Sequence, residues 1–130
     1  MDIADLFSFE GRANRGWYFW HIILDDLAMF TAVIALVVIG TVLGTPLVVL
    51  PAIGALVAGF WAGICITVKR LHDLDRPAWH WWLLLIPVYN ILLGLQLVFQ
   101  KGTDGANRFG GDPLGPGYGY EALPRPNDYS

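Results

Sequence analysis

A single cysteine, Cys65, and two serines, Ser8 and Ser130, stand in a chain of 130 residues in which charged side chains make up only 15%. A lone cysteine inside an apolar run cannot close an intramolecular disulfide, and it leaves out the CxxC pair of a redox or zinc site. No HExxH, G-x-S-x-G, P-loop or G-x-G-x-x-G pattern occurs, so zinc hydrolysis, a serine elbow and a phosphate cradle all lack their residues. His72, Asp73 and His80 do not have the compact spacing of metal ligands. We therefore expect no enzyme, no metal and no cofactor. The eight Lys and Arg are too few and too dispersed for a nucleic-acid partner. The acidic start Met1-Asp2-Ile3-Ala4-Asp5 lacks the basic region of a secretory signal, so no cleaved signal is expected.

What the chain has in excess is apolar surface: 55% hydrophobic residues and six Trp. A soluble domain of this length needs a polar exterior that so few charges cannot supply, and lipid removes the requirement. From Trp17 to Gly44 the only charges are Asp25 and Asp26. Each would cost about 2.5–3.5 kcal/mol at the bilayer centre, which puts them at its boundary and the first span at about 27–44. Thr45-Pro46 is a tight link, Pro51 falls in the first turn or two of the next helix, and the second span is about 47–68. Along it Ala55, Gly59 and Gly63 recur every fourth position, beside Gly54, Ala58 and Ala62, a pattern that lets another helix approach closely. That helix lies either within the chain or in a second copy. The third segment, about 81–99, carries Pro87 and Asn90, and Pro87 should kink it.

The fold class expected is thus an all-α polytopic membrane protein. It has an interfacial N-terminal segment over 1–16, a membrane domain over 17–99 with three spans, and a Gly/Pro-rich polar tail over 100–130 that is disordered over most of 114–130. Arg12 and Arg15 precede the first span and Lys69, Arg70 and Arg76 follow the second, whereas no basic residue lies between those two spans. This places the N-terminus and the 69–80 loop in the cytoplasm. Three crossings, the arrangement we expect, leave Lys101 and Arg108 outside, against that rule. The alternative is a third segment that breaks at Pro87–Asn90 and re-enters.

Three signatures stand in order along the chain: Phe9-Glu10-Gly11-Arg12-Ala13-Asn14-Arg15 with Tyr18, then Arg70-Leu71-His72-Asp73 with Trp79, then Gly105-Ala106-Asn107-Arg108-Phe109-Gly110 with Asp112-Pro113. Together they make the chain resemble, over roughly 7–113, the domain-of-unknown-function family 805, small proteins of the bacterial inner membrane. Phe19 stands where that family commonly has Trp, and His80 where a second Trp often follows Trp79. The resemblance implies a fold and a bacterial inner (plasma) membrane location, and no activity.

The candidate polar cluster comprises Arg12, Arg15, Asp25, Asp26, Arg70, His72, Asp73, Arg76, Asn107 and Arg108. The Arg70–Arg76 stretch would bind an anionic lipid head group or relay protons through His72. The plainer alternative is an anchor whose aspartates pair with its arginines, with Asp75 capping the helix that follows Pro77. Asp25 and Asp26 would form a proton or cation path, or an interhelical ion pair with Lys69 or Arg70. The function expected is that of a membrane protein acting through helix–helix, protein or lipid contacts, with membrane lipids and a second copy or another membrane protein as partners. The alternative is a small oligomeric transporter or channel subunit lined by Asp25, Asp26, Asn90 and His72.

Overall fold

Asn14 opens the first long helix by accepting the Trp17 amide on its side chain at 2.9 Å, which supplies an amide that the first helical turn leaves without a backbone partner. In the computed structural model, which describes residues 3–115, this helix, α1, runs over Arg15–Leu43. At 1.5 Å per residue it is roughly 43 Å long, more than the ~30 Å of bilayer hydrocarbon. Gly44 ends it in the left-handed conformation, φ 62°, which a residue without a Cβ adopts freely. A 3-10 turn over Pro46–Val48, capped by the Thr45 hydroxyl, leads into α2 over Val49–Asp73. Pro51 is the third residue of α2, where its missing N–H is no loss.

The two helices form an antiparallel pair. Gly59 abuts Met29 and Gly63 faces Asp25 and Ile22, so two of the small residues of the α2 ridge are spent on α1. Ala55, one turn earlier on that ridge, is half-buried. Both helices are long and apolar enough to cross a membrane.

α2 stops in a Schellman motif, with the Arg76 amide on the Leu71 carbonyl at 2.8 Å and the Asp75 amide on that of His72 at 3.0 Å. Asp75 is the left-handed residue of this motif, φ 56°, and it does not cap the next segment as expected; Pro77 precedes that segment without a side-chain cap. Instead of one kinked helix over 81–99, the chain forms a 3-10 helix over Ala78–Leu85, a reversal, and α3 over Tyr89–Phe99. The reversal is a γ-turn: Val88 has φ 69° and ψ −49°, and the Tyr89 amide reaches back to the Pro87 carbonyl at 2.8 Å. Pro87 has no N–H to carry a helix through this point. α3, with its 11 residues, is the shorter apolar helix of an all-helical fold.

The buried core lies at one end of the pair, where Tyr18 of α1, Ile66 and Leu71 of α2, and Leu93 and Leu97 of α3 converge. At the other end Val42, Leu47 and Leu50 are each 78% exposed. Such a surface is incompatible with water and ordinary in lipid. Residues Ile3–Phe7 form a short 3-10 helix beside α2; Phe9 meets Trp61 edge to face at 5.2 Å, and the Trp61 indole donates to the Phe7 carbonyl at 3.4 Å.

Candidate functional site

At the core end of the pair the chain buries two arginines and one aspartate. Arg12 lies just before α1, and Arg70 and Asp73 lie on the last turn of α2 with side chains 0–3% exposed. Asp73 accepts Arg12 Nε at 3.2 Å and Nη2 at 3.0 Å on Oδ1, and takes Arg70 Nη1 on Oδ2. The donors left over go to backbone carbonyls. Arg12 donates to those of Thr103 at 2.5 Å, Gly105 at 2.6 Å and Gly110 at 3.2 Å. Arg70 donates to those of Leu97 at 2.6 Å, Ala13 at 3.5 Å and Gln100. A guanidinium has five N–H groups, so Arg12 is saturated and Arg70 has one left. Two cations on one carboxylate leave an excess positive charge, and the six carbonyl dipoles offset it. A buried charge is tolerable only when paired and fully hydrogen-bonded in this way.

These contacts fasten residues 101–112, which the sequence marks as the start of a tail, onto the ends of α1 and α2. The Thr103 amide donates to the Asp73 carbonyl at 2.8 Å and the Ala13 amide to that of Lys69 at 3.0 Å. At Gly102 a Cβ would run into the Asp73 carboxylate, so only glycine fits there. Asn107 donates from Nδ2 to the His72 carbonyl at 2.8 Å and accepts the Phe109 amide at 2.9 Å, which presses the Phe109 ring flat on His72 at 4.0 Å. His72 Nδ1 faces the Gly11 carbonyl at 3.2 Å, its proton on that nitrogen in the matching tautomer. Arg108 covers Phe109 and pairs with Asp75 at 3.1 Å. Asp112 accepts the Gly105 and Leu114 amides, each at 2.9 Å, and these bonds hold its carboxyl below the ordinary carboxylate range.

Of the residues singled out by sequence, Arg12, Arg70, His72, Asp73, Asn107 and Arg108 converge in this cluster. The others do not join it. Arg15 is exposed and lines a small cleft with Lys101 and Thr103. Arg76 is half-buried near His80, and it forms no side-chain hydrogen bond or ion pair among the described residues. Asp25 and Asp26 lie further along α1. Their expected partners are engaged elsewhere, Lys69 on the Asp5 carbonyl of the N-terminal 3-10 helix and Arg70 on Asp73, one turn along α2. The carbonyls of Leu97, Gln100, Thr103, Gly105 and Gly110 escaped sequence reasoning because a carbonyl has no residue-type signature. Gly102 and Asp112 carried a faint one in the turn-forming run Gly102-Thr103-Asp104-Gly105 and the Asp112-Pro113 pair. Among the described residues no group of His, Cys, Asp and Glu is placed to hold a metal ion.

Two lipid-length apolar helices bound together by an ion cluster at one end are the build of an integral membrane protein. The profile described as "Protein of unknown function (DUF805)" matches residues 6–111, and the chain belongs to that family, as its three signatures lead one to expect. It is 37% identical over 119 residues to Inner membrane protein YhaH of Escherichia coli (strain K12), covering 82% of this chain and 87% of that protein. It is 34% identical over 106 residues to Inner membrane protein YhaI of the same organism, covering 82% of this chain and 86% of that one. No solved structure gives a significant match.

Proposed function

We propose that the chain is a non-catalytic protein of the bacterial inner membrane. In this reading α1 and α2 cross, residues 78–99 enter and return as a re-entrant hairpin, and the N-terminus and the loop over 100–112 both lie in the cytoplasm. It acts through the contacts its helix faces make with lipid and with a neighbouring membrane protein or a second copy. The observation that carries this reading is the saturation of the cluster. Arg12 spends all its donors and Arg70 all but one on Asp73 and on six carbonyls, and both side chains are buried, so they act as a clasp and not as a site for a substrate or a lipid phosphate. The same clasp supports re-entry, because residues 103–110 are fastened to Arg12 and Asp73, at the end of the bundle from which residue 78 departs. Re-entry keeps Lys101 and Arg108 with the other basic residues on one side, as the charge rule asks.

Site-directed crosslinking in native membranes tests the mode of action. Photoreactive groups at exposed positions of the two faces, such as Val57 and Ile91, are expected to capture a reproducible protein or lipid neighbour. A chain that captures no reproducible neighbour, protein or lipid, at either position counts against it.

A transporter or channel subunit is the second reading, favoured by Asp25. That carboxylate is half-buried against Gly63 and forms no hydrogen bond or ion pair among the described residues. Ion or proton flux in proteoliposomes, abolished by Asp25→Asn in a protein that still folds, would support it; absence of flux in a folded preparation removes it.

A further inference from the structure

Four segments crowd one end of this molecule and two the other. The 3-10 helix of eight residues and α3 of eleven are each roughly 16 Å long, at 2.0 and 1.5 Å per residue, so the hairpin, with its ends at head-group depth, stays within the cytoplasmic half of the ~30 Å of hydrocarbon. Its first leg rests on α2, where Trp81 meets Phe60 at 6.0 Å, and α3 closes on α1 through Leu93, Leu97 and Tyr18. Exposed Trp79 and Trp82 widen the same end, and the Ile3–Phe9 stretch lies against Trp61 beside them. Beyond the hairpin tip, α1 and α2 are the only segments among the described residues. Helix diameters of 10–12 Å give a cross-section of roughly 80–110 Å² per helix, so the hairpin about doubles the area taken up in one leaflet and adds nothing in the other.

We propose that the protein is a membrane wedge, broad in the cytoplasmic leaflet and narrow in the opposite one, and that it partitions to bilayer whose cytoplasmic face is convex. The occupant of its exposed apolar faces is lipid. The broad end relieves the gaps that curvature opens between head groups on the convex side. On a flat bilayer the same shape leaves the far leaflet underfilled. The clasp is what keeps the wedge open, because Arg70 binds the last turn of α3 through Leu97 and Gln100, and Arg12 binds the loop that follows.

This inference rests on the re-entrant topology, and the experiment separates the two. The full chain is reconstituted into vesicles of mixed diameter, of phosphatidylethanolamine and phosphatidylglycerol, with single reporters Ala106→Cys and Leu47→Cys; the native Cys65 is fully buried. Protein density per vesicle is read against vesicle diameter, and the side of each reporter is read with an impermeant thiol reagent. Labelling of the two reporters from opposite sides is expected. Density should rise several-fold from the largest to the smallest vesicles, and the share of molecules with Ala106→Cys outward should rise with it. Opposite-side labelling with density and orientation independent of diameter overturns the wedge and leaves the topology standing. Labelling from the same side overturns the topology and the wedge together.

Discussion

Replacing Asp73 by Asn removes one charge from the clasp and almost no volume, which makes it a clean perturbation. Asp73 is the acceptor for three guanidinium N–H groups, two from Arg12 and one from Arg70. The amide keeps one acceptor oxygen and turns an NH2 toward a cation. Two buried guanidinium groups then share a site with no anion, their positive charge met by carbonyl dipoles alone. Breaking a buried pair by removing one partner costs about 3–5 kcal/mol. The cheapest escape is local: the loop over 101–112 lifts, Arg12 follows it into water, and the α1–α2 pair survives on its apolar contacts. At about 1.4 kcal/mol per factor of ten, the population of the open loop should rise between about a hundred-fold and a few thousand-fold. Limited trypsin digestion in nanodiscs reads this directly, because Lys101 and Arg108 lie in the loop. Cleavage there should become fast in Asp73→Asn and stay slow in the parent. Cleavage at the parental rate in a folded variant would mean that Asp73 does not hold the loop, and the clasp would have to be abandoned.

Other consequences are checked with similar means. Gly102→Ala places a Cβ against a carboxylate that two arginines prevent from moving, so it should release the loop to trypsin much as Asp73→Asn does. Gly59→Ala presses on Met29 and should destabilise the helix pair by about 1–3 kcal/mol, with Met29→Ala in the same chain restoring most of the loss in a detergent unfolding titration. Val88→Gly relieves a β-branched residue from positive φ, a strain of about 1–3 kcal/mol, and should raise the thermal midpoint, the gain being reduced by the extra freedom of unfolded glycine. Asp112 titrates below its ordinary value, so the stability it lends the loop is present above that ordinary value, about 3.9, and is lost as pH falls through the depressed one. Amide exchange at Gly105 should show this acid step, and Asp112→Asn should flatten it.

How far the sequence reached follows from the kind of signal each feature leaves. The two long helices were legible because a lipid-facing helix must be apolar around most of its circumference, which leaves runs such as Leu27–Gly44 without a charge. The Gly59–Gly63 ridge was legible for a related reason: only small residues allow two helix backbones to come close, and four-residue spacing announces that face. Convergence of the three signatures was partly legible, since all three combine charge with glycine at a membrane boundary. Which charge meets which was not. Asp25 and Asp26 look like the natural partners of Lys69 and Arg70 when helices are drawn as parallel cylinders, but the nearest acceptors turn out to be Asp73, one turn away on the same helix, and the Asp5 carbonyl. The break at Pro87 was expected as a kink, with re-entry at Pro87–Asn90 as the alternative, and the sequence could not decide between them because a reversal depends on Val88 entering a conformation that its β-branched side chain disfavours.

The location of the clasp explains why so costly an arrangement is stable. Burying two guanidinium groups is prohibitive at mid-bilayer, yet in the proposed topology they lie where α1 overhangs the hydrocarbon. Some thirty ångströms measured back from Leu43 end near Ile23, eight residues after Arg15, so Arg12 and Asp73 sit at head-group depth, where the unfolded alternative is also partly hydrated. Aromatic side chains lie near this level: Trp17 and Trp20 on the first turns of α1 and Trp79 just after α2, with Trp20 and Trp79 exposed. The depth of the hairpin then follows from two ends fixed at one level. With Arg76 held by the Schellman turn and Gln100 held by Arg70, the 23 residues between them must leave and return, and a sharp reversal at Pro87–Val88 is how they do it. In the proposed topology a third helix across the membrane would take the Gln100 carbonyl from Arg70 and those of Thr103, Gly105 and Gly110 from Arg12, and the guanidinium N–H groups left without acceptors oppose that crossing.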